Sequence, residues 1–145
     1  MIYVTKKVSF SASHRLFNPT WDNEKNEEIF DKCNNQNGHG HNYVLEVTVK
    51  GFPDPDTGYV FDLKKMKRII EDHLLKFVDH KHLNHDVDFL SGIIPTAENM
   101  AVKFWEVLQE KFEPASLHKL KIWETENSMV EYFGDKVHIQ LYDEQ

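Results

Sequence analysis

Residues 42–51, NYVLEVTVKG, place Leu45, Val47 and Val49 on one face of an extended chain and Val44, Glu46, Thr48 and Lys50 on the other. Such alternation demands a sheet with one buried face and fixes its register, because a slip of one residue would turn every apolar side chain to water. The period then changes. From Leu63 the apolar residues Met66, Ile69, Ile70, Leu74 and Phe77 recur at three and four positions, which predicts a helix that buries one stripe and ends near Val78. A second helix is expected after Pro95, with Thr96 as N-cap, Glu98 in the first turn, and Ala101, Phe104, Trp105, Leu108 and Phe112 as its buried stripe before Pro114. Strands return in LKIWET around 120–125, in MVEYF after a turn near Asn127 and Ser128, and in KVHIQLY after Gly134 and Asp135. Residues 2–10 read as a further strand, PDPDTG running into YVFD as a hairpin, and the polar, aperiodic stretch 15–40 as a long irregular loop. Loops of that length in compact domains usually carry function. Strands segregated from helices give an α+β layer, an antiparallel sheet with both helices on one face, whose open edges favour association.

At 145 residues the chain has the length of one domain, read over 1–145, and can bury about two thirds of its unfolded surface without a disulfide or a structural metal. Any metal is therefore expected to serve chemistry. The net charge of −7, with the basic residues dispersed, argues against nucleic acid as a partner. No apolar run is long enough to span a membrane, and MIYVTKKVSF lacks the apolar core of a signal peptide, so a cytoplasmic protein without a membrane partner is expected. A single cysteine, Cys33, excludes an internal disulfide, whereas nine histidines make imidazole the expected ligand for a metal.

His39 and His41 flank Gly40 at the start of the alternating strand, and their i, i+2 spacing points both rings to one face. His14 follows the first strand, and an antiparallel sheet can bring it beside them. Three imidazoles with a fourth position open are the pattern of a catalytic zinc; two surface histidines two residues apart are the plainer reading. Cys33 lies six residues before His39 across the turn-rich NNQNG. It reads as a fourth ligand, as a thiolate base or nucleophile beside the ion, or as an inert buried thiol. Asp79 and His80, in VDHKHLNHD, form a carboxylate–imidazole pair of the kind that sets a tautomer for catalysis, and they also suit a helix C-terminus, whose dipole favours cations. Glu124 shares a face with Leu120 and Ile122 by period two. A carboxylate held there needs a partner, and a heterocycle with two adjacent N–H donors would satisfy both oxygens; a twist at the strand end would instead expose it.

Taken in order, FSASHRL, CNNQNGHGHNY, the pair in VDHKHLN, PTAEN and WETEN resemble the motifs of the 6-pyruvoyl-tetrahydropterin synthase family, over residues 8 to about 133. The resemblance implies the tunnelling fold, a four-stranded antiparallel sheet with two helices on one face. It also implies trimers whose sheets join into a barrel, stacked in pairs as a homohexamer, with active sites between subunits. It implies zinc on His14, His39 and His41, Cys33 as general base rather than ligand, Asp79 and His80 as the proton-handling pair, and Glu124 as anchor of the pterin ring. Thr96 and Glu98, from PTAEN, are the further substrate contacts it implies. The implied reaction converts 7,8-dihydroneopterin triphosphate into 6-pyruvoyl-tetrahydropterin and triphosphate in tetrahydrobiopterin biosynthesis, without an external redox cofactor, and with magnesium accompanying the triphosphate.

Two features depart from the family pattern. Ala97 stands where a second threonine is common, and GDKVHIQLYDEQ runs past the last motif without an assigned role. The runner-up reading is 6-carboxy-tetrahydropterin synthase of deazapurine biosynthesis, which shares metal, substrate and base but resembles a shorter spacing from cysteine to the HxH pair. A zinc or pterin binder without turnover is the third, and it would need none of Cys33, Asp79 and His80.

Overall fold

The computed structural model describes residues 1–143, so residues 144 and 145 of the 1–145 reading lie outside the described residues. Strands β1 (Ile2–His14) and β2 (His39–Gly51) form a long antiparallel pair that runs from Ile2 opposite Gly51 to His14 opposite His39. β4 (Ser116–Thr125) pairs with β2, and β5 (Ser128–Tyr132) pairs with β4, both antiparallel. On the opposite edge the two-residue β3 (Lys81–His82) runs parallel to β1. The sheet order is β3-β1-β2-β4-β5.

The α+β class stands, but the expected four-stranded antiparallel sheet with two helices is corrected to a five-stranded mixed sheet with three helices. The additional strand is β3, which lacks any alternating run because only two residues pair. The additional helix is α1 (Asn23–Phe30), inside the stretch expected to be an irregular loop, followed by a short 3₁₀ turn, Asp31–Asn34. Asp22 caps α1 by accepting from the Lys25 N–H at 2.8 Å, and the only buried side chain in it is Asn26, so no apolar stripe marks the helix in the sequence.

Helix α2 is α-helical over Leu63–Ile70, widens into a π turn over Glu71–Leu75 and closes over Lys76–Val78. The wide turn absorbs the drift of an α-helix against a four-residue repeat, so Met66, Ile70, Leu74 and Val78 are all fully buried while Phe77 faces outward. Helix α3 (Ala97–Leu108) begins at the expected cap, where the Thr96 hydroxyl accepts from the Asn99 N–H at 3.2 Å. It ends before Phe112, which packs edge-on against Phe61 from the following turn rather than from the helix. Both helices cover the face of the sheet that carries Phe10, Tyr43, Leu45, Val47, Val49, Leu120 and Ile122, and one buried cluster joins them.

Three further expectations change. β1 continues past residue 10 to His14, and its alternation carries Phe10, Ala12 and His14 onto the buried face. PDPDTG makes its turn on Asp54, yet YVFD adds no strand, because Val60 and Phe61 enter the core and Asp62 caps α2. KVHIQLY is not a strand either. Gly134, at φ +90°, turns the chain against the Trp105 ring, where a Cβ would come within 2.4 Å. The tail then leaves the sheet and meets the loop before α3, the Tyr142 N–H donating to the Gly92 carbonyl at 2.8 Å.

Candidate metal centre and active site

The long β1–β2 pair places His14 directly opposite His39 and Ala12 opposite His41. All three imidazoles lie on the buried face of the sheet, at its end, and their ligand nitrogens lie within 4.8 Å of one another. His14 is completely buried. Its Nδ1 stands 2.9 Å from the carbonyl of Pro95, an acceptor only, so Nδ1 carries the proton and Nε2 carries the lone pair. That Nε2 faces the Nε2 of His39 at 3.2 Å. Nδ1 of His39 and Nε2 of His41 are buried without a hydrogen-bond partner. Burial chiefly, with His39, His41 and His82 adding to it and the Pro95 bond opposing it, pulls the pKa of His14 down to about 4. His41 is lowered too, by burial first, against the attraction of Glu124 and with the help of His39. His14 and His41 are therefore neutral at pH 7, and with His39 they crowd together with two orphaned nitrogens, an arrangement that fits a metal cation. A carbonyl that fixes the tautomer of one ligand is the usual outer support of such a site.

Tyr43 forms the floor. It is completely buried, stacks on Phe10, and stands edge-on to His14 and His41. Burial, with the charges of Glu124 and Cys33 behind it, raises the pKa of its hydroxyl, so it stays protonated.

Glu124 faces the triad as period two predicts, with Oε1 3.7 Å from Nε2 of His41. It falls at an irregularity of β4: Trp123 pairs with Met129 and Thr125 with Ser128, leaving Glu124 without an opposite residue. Extra residues of this kind re-aim side chains beside active sites. Cys33 sits in the 3₁₀ turn after α1, half-buried, and its sulfur is not among the clustered ligand atoms. Partial burial, then the charges of Glu124 and Asp31, push its thiol pKa up. A cation on the three histidines would act in the opposite sense and favour the thiolate.

Asp79 and His80 form a pair, Oδ1 to Nδ1 at 3.0 Å, just past the end of α2. Asp79 also accepts from the Ser11 N–H at 2.9 Å, and this bond, reinforced by His80, lowers its pKa. His80 adopts φ 60° and donates its own N–H to the Ser11 carbonyl. Its side chain is 81% exposed at the β1 edge, and neither member of the pair is among the groups that shift Cys33. A groove of about 520 Å³ at this edge is lined by Ser11, Ser13, His41, Asn42, His80 and His82, and Asp79, His14 and His39 are not part of it. Thr96 spends its hydroxyl on the α3 cap, and Glu98 is exposed in the first turn of that helix. Their tie to the triad is Pro95, the neighbour of Thr96. Pro95 and Tyr43 are the contributors that residue-type reasoning passes over, because a backbone carbonyl leaves no signature and a tyrosine on an alternating strand reads as core.

The sequence model described as 6-pyruvoyl tetrahydropterin synthase matches residues 3–135. This chain is a member of the 6-pyruvoyl tetrahydropterin synthase family. The human 6-pyruvoyl tetrahydrobiopterin synthase is 44% identical to it over 132 residues, 91% of each chain. The solved structure of the Caenorhabditis elegans 6-pyruvoyl tetrahydropterin synthase aligns with a TM-score of 0.86 at 40% identity, covering 92% of this chain and 96% of that one. A protein of Archaeoglobus fulgidus named as a putative 6-carboxy-5,6,7,8-tetrahydropterin synthase is more distant, 32% identical over 93 residues, which is 64% of this chain and 73% of its own. Among the described residues no helix is long and apolar enough to cross a membrane.

Proposed function

We propose that this protein is a lyase that converts 7,8-dihydroneopterin triphosphate into 6-pyruvoyl-tetrahydropterin with loss of triphosphate, the step that commits a pterin to tetrahydrobiopterin. The observation that carries the reading is the clustered histidine triad, with the tautomer of His14 fixed by Pro95, Glu124 beside it and Cys33 within reach of the Glu124 charge. Similarity at 44% to a synthase of that name over nearly the whole chain supports it.

In this reading His14, His39 and His41 would hold zinc, which when bound would supply a Lewis acid toward the side-chain hydroxyls of the substrate and so acidify the adjacent C–H protons. The Cys33 thiolate removes such a proton. Asp79 orients His80 through the 3.0 Å contact, and the imidazole hands protons on. Glu124 accepts from the pterin N–H groups and fixes the ring. Thr96 and Glu98, at the α3 N-terminus, complete the substrate contacts. Electrons balance within the molecule: the side-chain carbons are oxidised as the ring is reduced, and triphosphate departs with the bonding pair. No external oxidant or reductant enters. Magnesium would travel with the triphosphate.

The exposed position of the Asp79–His80 pair at the sheet edge suits a site completed between subunits of a homohexamer built as a dimer of trimers. The reading further takes the chain as one cytoplasmic domain. The test is a product assay: zinc-loaded protein with 7,8-dihydroneopterin triphosphate and magnesium, kept anaerobic and followed by mass spectrometry. A pyruvoyl pterin with released triphosphate is expected. A carboxy pterin with acetaldehyde would move the chain to the deazapurine branch, and absence of any product would leave a binding protein.

A further inference from the structure

The residue after His14 is bound on both sides. Its main chain is clasped by Asn84, whose Oδ1 accepts from the Arg15 N–H at 2.8 Å and whose Nδ2 donates to the Arg15 carbonyl at 2.9 Å. Its guanidinium turns toward the 3₁₀ turn that carries Cys33. Nε donates to the carbonyl of Asn34 and Nη2 to Oδ1 of the same residue, both at 3.0 Å. The next residue, Leu16, donates its N–H to the Cys33 carbonyl at 2.8 Å. Two successive carbonyls of the cysteine turn are thus held by the two residues that follow a metal-ligating histidine.

Along the chain the turn is tied only locally, the Asp31 N–H donating to the Glu27 carbonyl and the Asn35 N–H to the Lys32 carbonyl at 3.2 Å. It is four residues long, and Asn34 is its one buried side chain. Arg15 makes no ion pair with a carboxylate among the described residues; its fork is taken up by Asn34, and the Phe17 ring stacks 4.1 Å from the guanidinium carbon. A planar fork spent on a neutral asparagine supplies geometry rather than charge neutralisation. The charges that act on the thiol are those of Glu124 and Asp31, and Arg15 is not among them.

We infer that Arg15 is a positioning residue that locks the Cys33 turn to the end of β1, so that the thiol keeps one fixed spacing from the His14, His39 and His41 triad. The inference rests on the proposed role of Cys33 as the base. It assigns a purpose to the arginine of FSASHRL that the reaction scheme leaves unused.

The test uses the full-length, zinc-loaded protein with Arg15→Gln, Arg15→Lys, Asn34→Asp, Asn34→Ala and Cys33→Ser. Zinc per chain, kcat and KM with 7,8-dihydroneopterin triphosphate, and the rate of iodoacetamide alkylation at fixed pH are measured. Cys33 is the only cysteine in the chain, so alkylation reports it alone. Arg15→Gln should keep its zinc and nearly its KM while kcat falls about ten- to a hundredfold, the cost of a displacement of roughly 1 Å at a reacting group. Its thiol should alkylate severalfold faster as the turn loosens. Arg15→Lys, which cannot fork, should resemble Arg15→Gln, whereas Asn34→Asp keeps an acceptor and should retain most of the turnover. Wild-type kcat and alkylation rate in Arg15→Gln would overturn the inference, as would loss of zinc in step with kcat, which marks a merely structural residue. If Arg15→Gln does not fold, Asn34→Ala, which removes one of the two acceptors, must show the same two changes in smaller size, and wild-type values there overturn the inference equally. Full turnover in Cys33→Ser would sink the base assignment instead, while the alkylation rates still judge the hold of Arg15 on the turn.

Discussion

Acidifying the metal-free protein should destabilise it, in large part through His14. His14 is fully buried, and its pKa lies at about 4 in the folded chain against 6.5 for an ordinary histidine, with burial the main cause. The unfolded state therefore binds a proton that the folded state refuses between these values. Stability is intact above pH 6.5 and is lost as the pH falls toward 4. At about 1.4 kcal/mol per pKa unit the whole difference is about 3 kcal/mol, of which about 2 kcal/mol is already lost at pH 5. With a urea dependence of about 2 kcal/mol per molar for a chain of this size, the midpoint should fall by about 1 M between pH 7.5 and 5. The assay is urea unfolding followed by tryptophan fluorescence, after zinc is stripped with a chelator, at several pH values and one protein concentration. His14→Gln, which cannot take up the proton, serves as reference for every other titrating group. The wild-type midpoint should drop more steeply than that of the variant by about that 1 M. Parallel curves would refute the reasoning and mean that the His14 ring accepts a proton in place.

Other expectations concern the site and its frame. His39→Ala should purify without stoichiometric zinc by metal analysis, and full occupancy would remove His39 from the ligand set. Glu124→Gln should weaken substrate binding by about tenfold, the value of one charge-assisted hydrogen bond, read as a rise in KM; an unchanged KM would sink the ring-anchor role. Thr96→Ala removes the α3 cap and should cost about 1 kcal/mol in chemical denaturation, with zinc content kept. A change in KM beyond that loss would speak for direct substrate contact.

The sequence by itself determined the sheet face, the two apolar-striped helices and the chemistry on offer. Alternation over 42–51 fixed which side of β2 is buried, and the same period carried His39 and His41 to that side and Glu124 to the side of Leu120 and Ile122. These are local consequences of a two-residue repeat, and the family motifs supplied roles for the residues so placed. What the repeat could not convey are features with no periodic or apolar mark: the two-residue strand β3, the polar helix α1, and a C-terminal tail that Gly134 turns away from the sheet.

Only the tertiary structure decided how the donors meet. That His14 opposes His39 depends on a thirteen-residue register between strands separated by the whole of α1 and its flanking loops. That its Nε2 is the free nitrogen depends on the Pro95 carbonyl, 81 residues away in the chain. Whether Cys33 joins the ligand cluster was open in the sequence, since NNQNG is flexible enough for either outcome; the bonds from Arg15 and Leu16 hold its turn and leave the sulfur outside the cluster. Backbone acceptors and inter-strand register belong to no single residue type, which is why a reading of side chains finds the ligands but not the geometry that makes them a site.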